Sequence, residues 1–373
     1  MSHSEKKTVL ISGASFAGLS TAYWMAKFGY DVTIVEIASG LRTGGTAVDI
    51  KEGTVDIVKK MGVFDAIRSN RLSLEKWDFK GADDKTLGGF SLRGENDPMP
   101  DDEFEIERSV LVSILHGLIK DKVKIVFNEG ISDLKETTSG VNATFSSGKS
   151  QTYDLVFGCD GIHSAVRRLW FGPESQYMHF LEQYFSITIV EKSLIKSNTA
   201  QMYNVPGKGV MLNAYKNKTD IIFCFVSEKE ILYNYRDEAQ QRQIIVDRFK
   251  DESWRCKELL KEIEGSKTFY FDKLCQIKMP EWSKGRVALV GDAAYCASPA
   301  AGRGGSLAID GAAALAKAFE ANAGAHELAF KEYDSSFRPF IEDVQKEAVR
   351  VGLESLVPRT EEAIRIRNSM GTF

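Results

Sequence analysis

Three segments of the chain share one pattern: an uninterrupted apolar run, a turn rich in glycine or aspartate, and then helix-forming residues. In the first, Val9, Leu10 and Ile11 form the run, Gly13 opens the turn, and "LSTAYWMAKFG" leads to a stop at Gly29. A strand apolar on both faces is buried on both sides, as in a parallel sheet covered by helices. "DVTIVE", Asp31 to Glu36, predicts the next strand, so the opening residues read as a strand, helix, strand unit. The second segment is "DLVFGCDGIHSAVRRLW", Asp154 to Trp170, and the third is "GRVALVGDAAYCASPAAGRGGSLAIDGAAALAKAF", Gly285 to Phe319. Between them the pattern changes. "YFSITIV", "TAQMYNV", "GVMLNAY" and "DIIFCFV" are short β-branched and aromatic runs separated by "PGKG" and "KNKTD", which predicts an antiparallel sheet. A charged helical segment follows, from near Asn234 to Ile263, and "FYFDKLCQIKMPEW" leads back to the third segment. His326 to Phe373 predicts a long helix and, after Pro358, a shorter one.

The first segment carries a dinucleotide-binding fingerprint with one departure. Gly13, Ser15, Phe16, Ala17 and Gly18 fall on the G-x-G-x-x-G frame, with Ser15 in place of the second glycine. The helix N-terminus offers unpaired N–H groups and a partial positive charge to a pyrophosphate, and the acid Glu36 has the spacing of a ribose partner. Serine is the next smallest polar choice and keeps the site open. An acid at position 36 argues against a 2'-phosphate, which leaves NAD or FAD. Alone, Asp160-Gly161 and Gly291-Asp292 read as turns, because these residues tolerate positive φ and cap helices.

In this order and spacing the three motifs resemble the single-component FAD-dependent aromatic hydroxylases, the family that includes para-hydroxybenzoate hydroxylase. The resemblance spans nearly the whole chain. It implies that the first motif holds the ADP half of FAD, that Asp160-Gly161 lies near the pyrophosphate and serves pyridine nucleotide use, and that Gly291-Asp292 binds the ribityl chain. "LRTGGTAVDI" places Arg42, Gly45, Thr46 and Asp49 against the flavin and adenosine, and "EIERSVLVSIL" supplies Arg108 as a flavin contact. Pro299, Gly302, Gly304, Gly305 and Ser306 form the glycine-rich loop whose backbone N–H groups approach the flavin. Here the family commonly has G-Q-G-x-N, so Arg303 and Ser306 are departures; Arg303 is a candidate catalytic group that brings positive charge near the ring. Tyr295 replaces a usual histidine. The R-x-G-G-x-x-x-D-I pattern and the tyrosine of "GDAAY" further resemble the tetracycline-inactivating monooxygenases, in which a C-terminal helix bridges two domains.

The fold expected is α/β: a Rossmann-like FAD-binding domain formed by residues 1–73, 99–172 and 273–322, with an inserted antiparallel substrate domain formed by 74–98 and 173–272. Residues 323–373 form the bridging helical segment. "EKWDFKGADDKTLGGFSLR" adds a hairpin to the insert, and alternation nominates Met202, Met211, Asn213, Phe223 and Phe225 as cavity-lining residues. The resemblance implies a non-covalently bound FAD reduced by NADPH or NADH and reacting with O2. The resulting flavin C4a-hydroperoxide hydroxylates an aromatic or enolic polycyclic molecule, such as a tetracycline. A flavin- and ligand-sequestering protein without turnover, or a flavin-dependent reductase, uses the same scaffold. No paired carboxylate or catalytic triad stands out, which suits a cofactor that carries the hard step.

Composition narrows the remaining classes. With 373 residues, 43% hydrophobic, 27% charged and a net charge of −4, the chain offers no basic surface to nucleic acid. Five widely spaced cysteines without C-x-x-C predict reduced thiols, and the polar start and lack of a long apolar run predict a cytoplasmic protein without a membrane segment; a monomer without a metal site is expected.

Overall fold

The computed structural model describes residues 6–42, 44–92 and 103–370. Arg93 at the end of the expected hairpin, and the expected boundary between 98 and 99, lie outside the described residues. The apolar runs form the centre of a six-stranded sheet in the order Ser283–Lys284, Val287–Leu289, Leu155–Gly158, Thr8–Ser12, Asp31–Glu36, Lys124–Phe127. All neighbours pair in parallel except the first two. The runs are apolar throughout because the sheet is covered on both sides: Val9, Leu10, Ile11, Val156, Phe157 and Leu289 have no more than negligible exposure. Helices Phe16–Lys27, Gly304–Ala321 and His326–Glu347 share this core.

The second layer is a seven-stranded sheet in the order Tyr270–Ile277, Met178–Val190, Lys218–Val226, Lys208–Tyr215, Thr199–Val205, Lys76–Lys80, Thr86–Ser91. The hairpin 76–91 joins it through a parallel pairing with Thr199–Val205. One face carries Tyr203, Val210, Leu212, Ile221, Phe223 and Phe225 against two helices, Glu238–Phe249 and Cys256–Gly265. The sequence pattern predicts one helical segment here, and the chain instead breaks at Trp254, which has φ of 55°. A single helix of that length would run about 45 Å. Folding back lets Ile245 and Phe249 as well as Leu259 and Ile263 cover the same sheet face.

Register corrects the choice of cavity-lining residues. Directly opposed residues share a face, and Met211 pairs with Met202 on one side and with Ile222 on the other. Phe223 and Phe225 therefore point to the opposite face, where both rings pack on Phe249, at 4.7 and 6.4 Å between centroids. They are core residues, not cavity residues. Met202 is on the right face but lies beneath the last helix, Glu361–Met370, with Arg367 Nη1 donating to its Sδ at 3.4 Å. Met211 and Asn213 are half-buried on the same face as Met202, and Met211 packs beside Ile222 and Val357.

After His326–Glu347 the chain passes through a π turn, Ala348–Gly352. Gly352 is required there, because a Cβ would lie 2.1 Å from the Ala300 carbonyl oxygen. Leu353, Leu356 and Val357 then pack on Phe185, Ile222, Cys224 and Leu274 of the second sheet. The tail thus touches both the glycine-rich loop of the third segment and the second sheet, the lid.

Candidate functional site

The first two motif glycines are demanded by backbone contact. A Cβ on Gly13 (φ 99°) would lie 2.5 Å from the Cys159 carbonyl oxygen, and one on Gly18 would lie 1.9 Å from that of Gly13. Between them Ser15 stands at the N-cap of helix Phe16–Lys27 without capping it. Its hydroxyl instead accepts from Arg108 Nη2 at 3.0 Å. The departure from glycine thus has a local reason, and the first helical N–H groups remain unclaimed by a side-chain cap.

Arg108 gathers the motifs. Its guanidinium lies 4.5 Å from the Phe16 ring centroid, and a Cβ on Gly45 would meet its Cδ at 2.8 Å. Burial lowers its pKa while Asp292 raises it, and Arg42 adds a smaller lowering. Asp292 in turn is pushed up by burial and pulled down by Arg108. Gly291 (φ 70°) brings this turn against Ala17, whose Cβ would lie 3.0 Å from one on the glycine.

Glu36 is buried and its two carboxylate oxygens accept from Ala14 N at 2.8 Å and Ala38 N at 2.9 Å. A carboxylate has further lone pairs, so a ribose hydroxyl remains within its capacity. Asp160 is more fully engaged: it accepts from Ser12 Oγ at 3.2 Å, Ser164 Oγ, Ala165 N at 2.9 Å and Val166 N at 3.2 Å. Together with Ser164, which accepts from Arg167 N, it closes the N-terminus of helix Ala165–Trp170. Gly161 supplies the positive φ of that turn, at 79°. Arg167, fully buried, ties this turn to the third motif by donating to Ala293 O at 2.9 Å.

In the glycine-rich loop Pro299 starts a single 3-10 turn and Gly302 adopts φ of 63°. Helix Gly304–Ala321 then begins without a side-chain cap or an acid in its first turn. Gly305 lies against Val48, and Ser306 donates to the Asp49 carbonyl, fixing the loop on strand Val48–Lys51. Thr46 is half-buried in the loop leading to that strand. Arg303 is held by a two-pronged ion pair with Glu52, one contact at 2.8 Å, so its charge is already partnered. Tyr295 is core: its hydroxyl accepts from Tyr333 at 3.1 Å, and Gly311 is indispensable because its Cβ would fall 1.7 Å from the Tyr295 oxygen.

Sequence reasoning missed Glu52, Glu105, Glu174 and Asp272. Glu174 and Asp272 bracket His163 at 3.1 and 3.3 Å, and hydrogen bonds to both raise the imidazole to about 9. Only Glu105 had a readable signal, the alternation of "EFEI", which turns it away from buried Phe104 and Ile106. All five cysteines are buried and free, no group of acids, histidines or cysteines among the described residues can hold a metal ion, and no described helix is long and apolar enough to cross a membrane.

Two open helix N-termini, glycines that let backbone approach closely, and an acid at the end of the second strand define a dinucleotide-type cofactor site. The chain belongs to the FAD binding domain family, which it matches over residues 6–348. Within that family it is an FAD-dependent monooxygenase by its relatives: a flavin-dependent monooxygenase of Legionella longbeachae serogroup 1 (strain NSW150) is 35% identical, over 94% of this chain and 90% of that one. Two solved structures share the architecture. Tetracycline destructase Tet(51) superposes with a TM-score of 0.87 at 34% identity, covering 98% of this chain and 95% of its own. Tetracycline destructase Tet(55) gives 0.86 at 33% identity with the same coverage.

Proposed function

We propose that the protein is an NAD(P)H- and O2-dependent hydroxylase that adds one oxygen atom to a polycyclic phenolic or enolic substrate, tetracyclines included. The observation that supports this most is the pair of uncapped helix N-termini, at Phe16 and Gly304, joined through the Phe16 ring, which lies under Arg108 and beside Gly305. The first suits a pyrophosphate, with Gly13, Ser15, Ala17 and Gly18 allowing close approach and Glu36 facing the ribose. The second suits the electron-rich end of a flavin ring, with Gly302, Gly304, Gly305 and Ser306 shaping the loop. Arg108 and Asp292, which act on each other, would hold the ribityl chain, and Asp49, on strand Val48–Lys51, would stand beside the ring. FAD supplies the activation of dioxygen with electrons from the nicotinamide nucleotide. The protein's own part is to orient the substrate under the lid face bearing Met211 and Asn213 and to exclude water.

The reading is tested by incubating the FAD-loaded protein with NADPH or NADH, air and a tetracycline. We expect oxidation of the nucleotide together with a product heavier by one oxygen atom. Nucleotide oxidation without a mass change would exclude tetracyclines as substrates, and no oxidation with any phenolic compound would leave a ligand-sequestering protein.

A further inference from the structure

Where the second sheet faces the ribbon of Val48–Lys51 and Glu103–Ile106, acids gather on both sides, and of these only Asp49 belongs to the flavin motifs. Asp49 and Glu105 are directly opposed on the ribbon formed by Val48–Lys51 and Glu103–Ile106, so both project from the same face. Ile50, Phe104 and Ile106 are buried on the other face, whereas Asp49 and Glu105 are half-buried. On the lid, Asn213 and Asp220 are likewise directly opposed, on adjoining strands. Lys216 and Lys218 at the end of the lid hairpin both reach Glu107 at the end of the ribbon, Lys218 at 3.3 Å, which brings the two pairs near one another, and Asn213, Asp49 and Asp220 then act on Glu105 electrostatically.

The cations nearby form ion pairs with acids other than Glu105 and Asp220. Lys51 lies 3.9 Å from Asp49 and 3.6 Å from Glu103, while Lys218, which acts on Asp220, lies 3.3 Å from Glu107 and 3.7 Å from Glu191. Asp220 is fully buried. Its Oδ1 accepts from the Tyr215 hydroxyl at 2.8 Å, but its Oδ2 has no hydrogen-bond partner among the described residues. A buried carboxylate oxygen without a donor is costly, and such a group calls for an explanation. No group of acids among the described residues can hold a metal ion.

We propose that Glu105 and Asp220, with Asn213 between them, form a subsite for a protonated amine, so that the substrates of this site are amine-bearing aromatic or polycyclic cations or zwitterions. The inference rests on the lid face being the substrate side, as in the function proposed above. An ammonium group brings the donors that these acids lack and a charge that the neighbouring lysines do not supply. It also couples binding to protons. Burial raises Glu105 to about 8, with Asp49 and Asp220 adding to the rise, and raises Asp220 to about 7, with Glu107 adding and Tyr215 and Lys218 opposing. A cation favours the ionised forms, so its binding releases protons and tightens as pH rises through this range.

The test measures binding to the FAD-loaded protein of two matched pairs: tetracycline against its dedimethylamino analogue, and tyramine against para-ethylphenol. In at least one pair the amine-bearing member should bind about tenfold tighter, and Glu105→Gln and Asp220→Asn should each cut that preference to about twofold without weakening the amine-free member. Flavin content and melting temperature show that the variants are folded. Equal affinity within both pairs, or variants that weaken both members alike, would overturn the subsite. A preference in the tyramine pair without oxygenation of tetracycline would sink the tetracycline reading and leave the subsite standing. Oxygenation of tetracycline and its analogue with equal affinity would do the reverse.

Discussion

The turn after Thr8–Ser12 and the turn after Leu155–Gly158 start from neighbouring parallel strands and end in helices, yet they treat the helix N-terminus in opposite ways. After the first strand Ser15 declines to cap and hands its hydroxyl to Arg108, leaving the N–H groups of Phe16–Lys27 open. After the second, Asp160 and Ser164 occupy the N–H groups of Ala165, Val166 and Arg167. A helix end is an anion site only if the protein withholds its own anions from it. The first turn leaves its N–H groups free of side-chain caps, as the proposed FAD site requires, and the second holds its own loop and, through Arg167, the third motif.

The largest effect should come from closing the open turn. Gly18→Ala forces a Cβ to 1.9 Å from the Gly13 oxygen, and we expect a loss of about 3 kcal/mol or more and no retained FAD, read from thermal melting and flavin absorbance. Next, Arg108→Ala and Asp160→Ala should separate the two turns. Arg108→Ala should weaken FAD about a hundredfold with a modest change in melting temperature. Asp160→Ala should instead destabilise by about 2 kcal/mol while FAD affinity stays within about threefold. Equal losses of affinity in both variants would erase the distinction between an open and a closed helix end.

The smallest effect concerns pH. His163, beside the closed turn, is raised from 6.5 to about 9 by its hydrogen bonds to Asp272 and Glu174. A raised folded-state value means that its stabilisation is complete below pH 6.5 and is lost as pH climbs toward 9. Melting temperature should therefore fall by about 2 °C across that interval, and His163→Gln should flatten the slope. An unchanged slope in the variant would remove this pairing from the contacts that hold the lid strand Tyr270–Ile277 to the second turn.

Much of this was written in the chain. The apolar runs and their glycines specify the parallel sheet because a strand covered on both faces needs an unbroken run and a tight turn needs a residue without a Cβ. Gly13, Gly18 and Glu36 follow from the same local turn and spacing, whereas only the family resemblance points to Arg108, whose partner Ser15 lies 93 residues away. The lid resisted that reading. Phe223 and Phe225 look like Met211 to any alternation count, and only the pairing of Met211 with Ile222 shows that they face the helices instead. Arg303 looked free to approach a flavin until the fold brought Glu52, 251 residues away, against it.

By itself, then, the sequence determined the nucleotide-binding layer, the antiparallel insert and the helical tail, whose signals are local periodicities and turn chemistry. Tertiary structure alone decided which residues of the lid share a face, which charges are already paired, and that Glu105 and Asp220 come close enough to act on each other. Those properties depend on strand register and on contacts between residues far apart in the chain, and no local pattern encodes either.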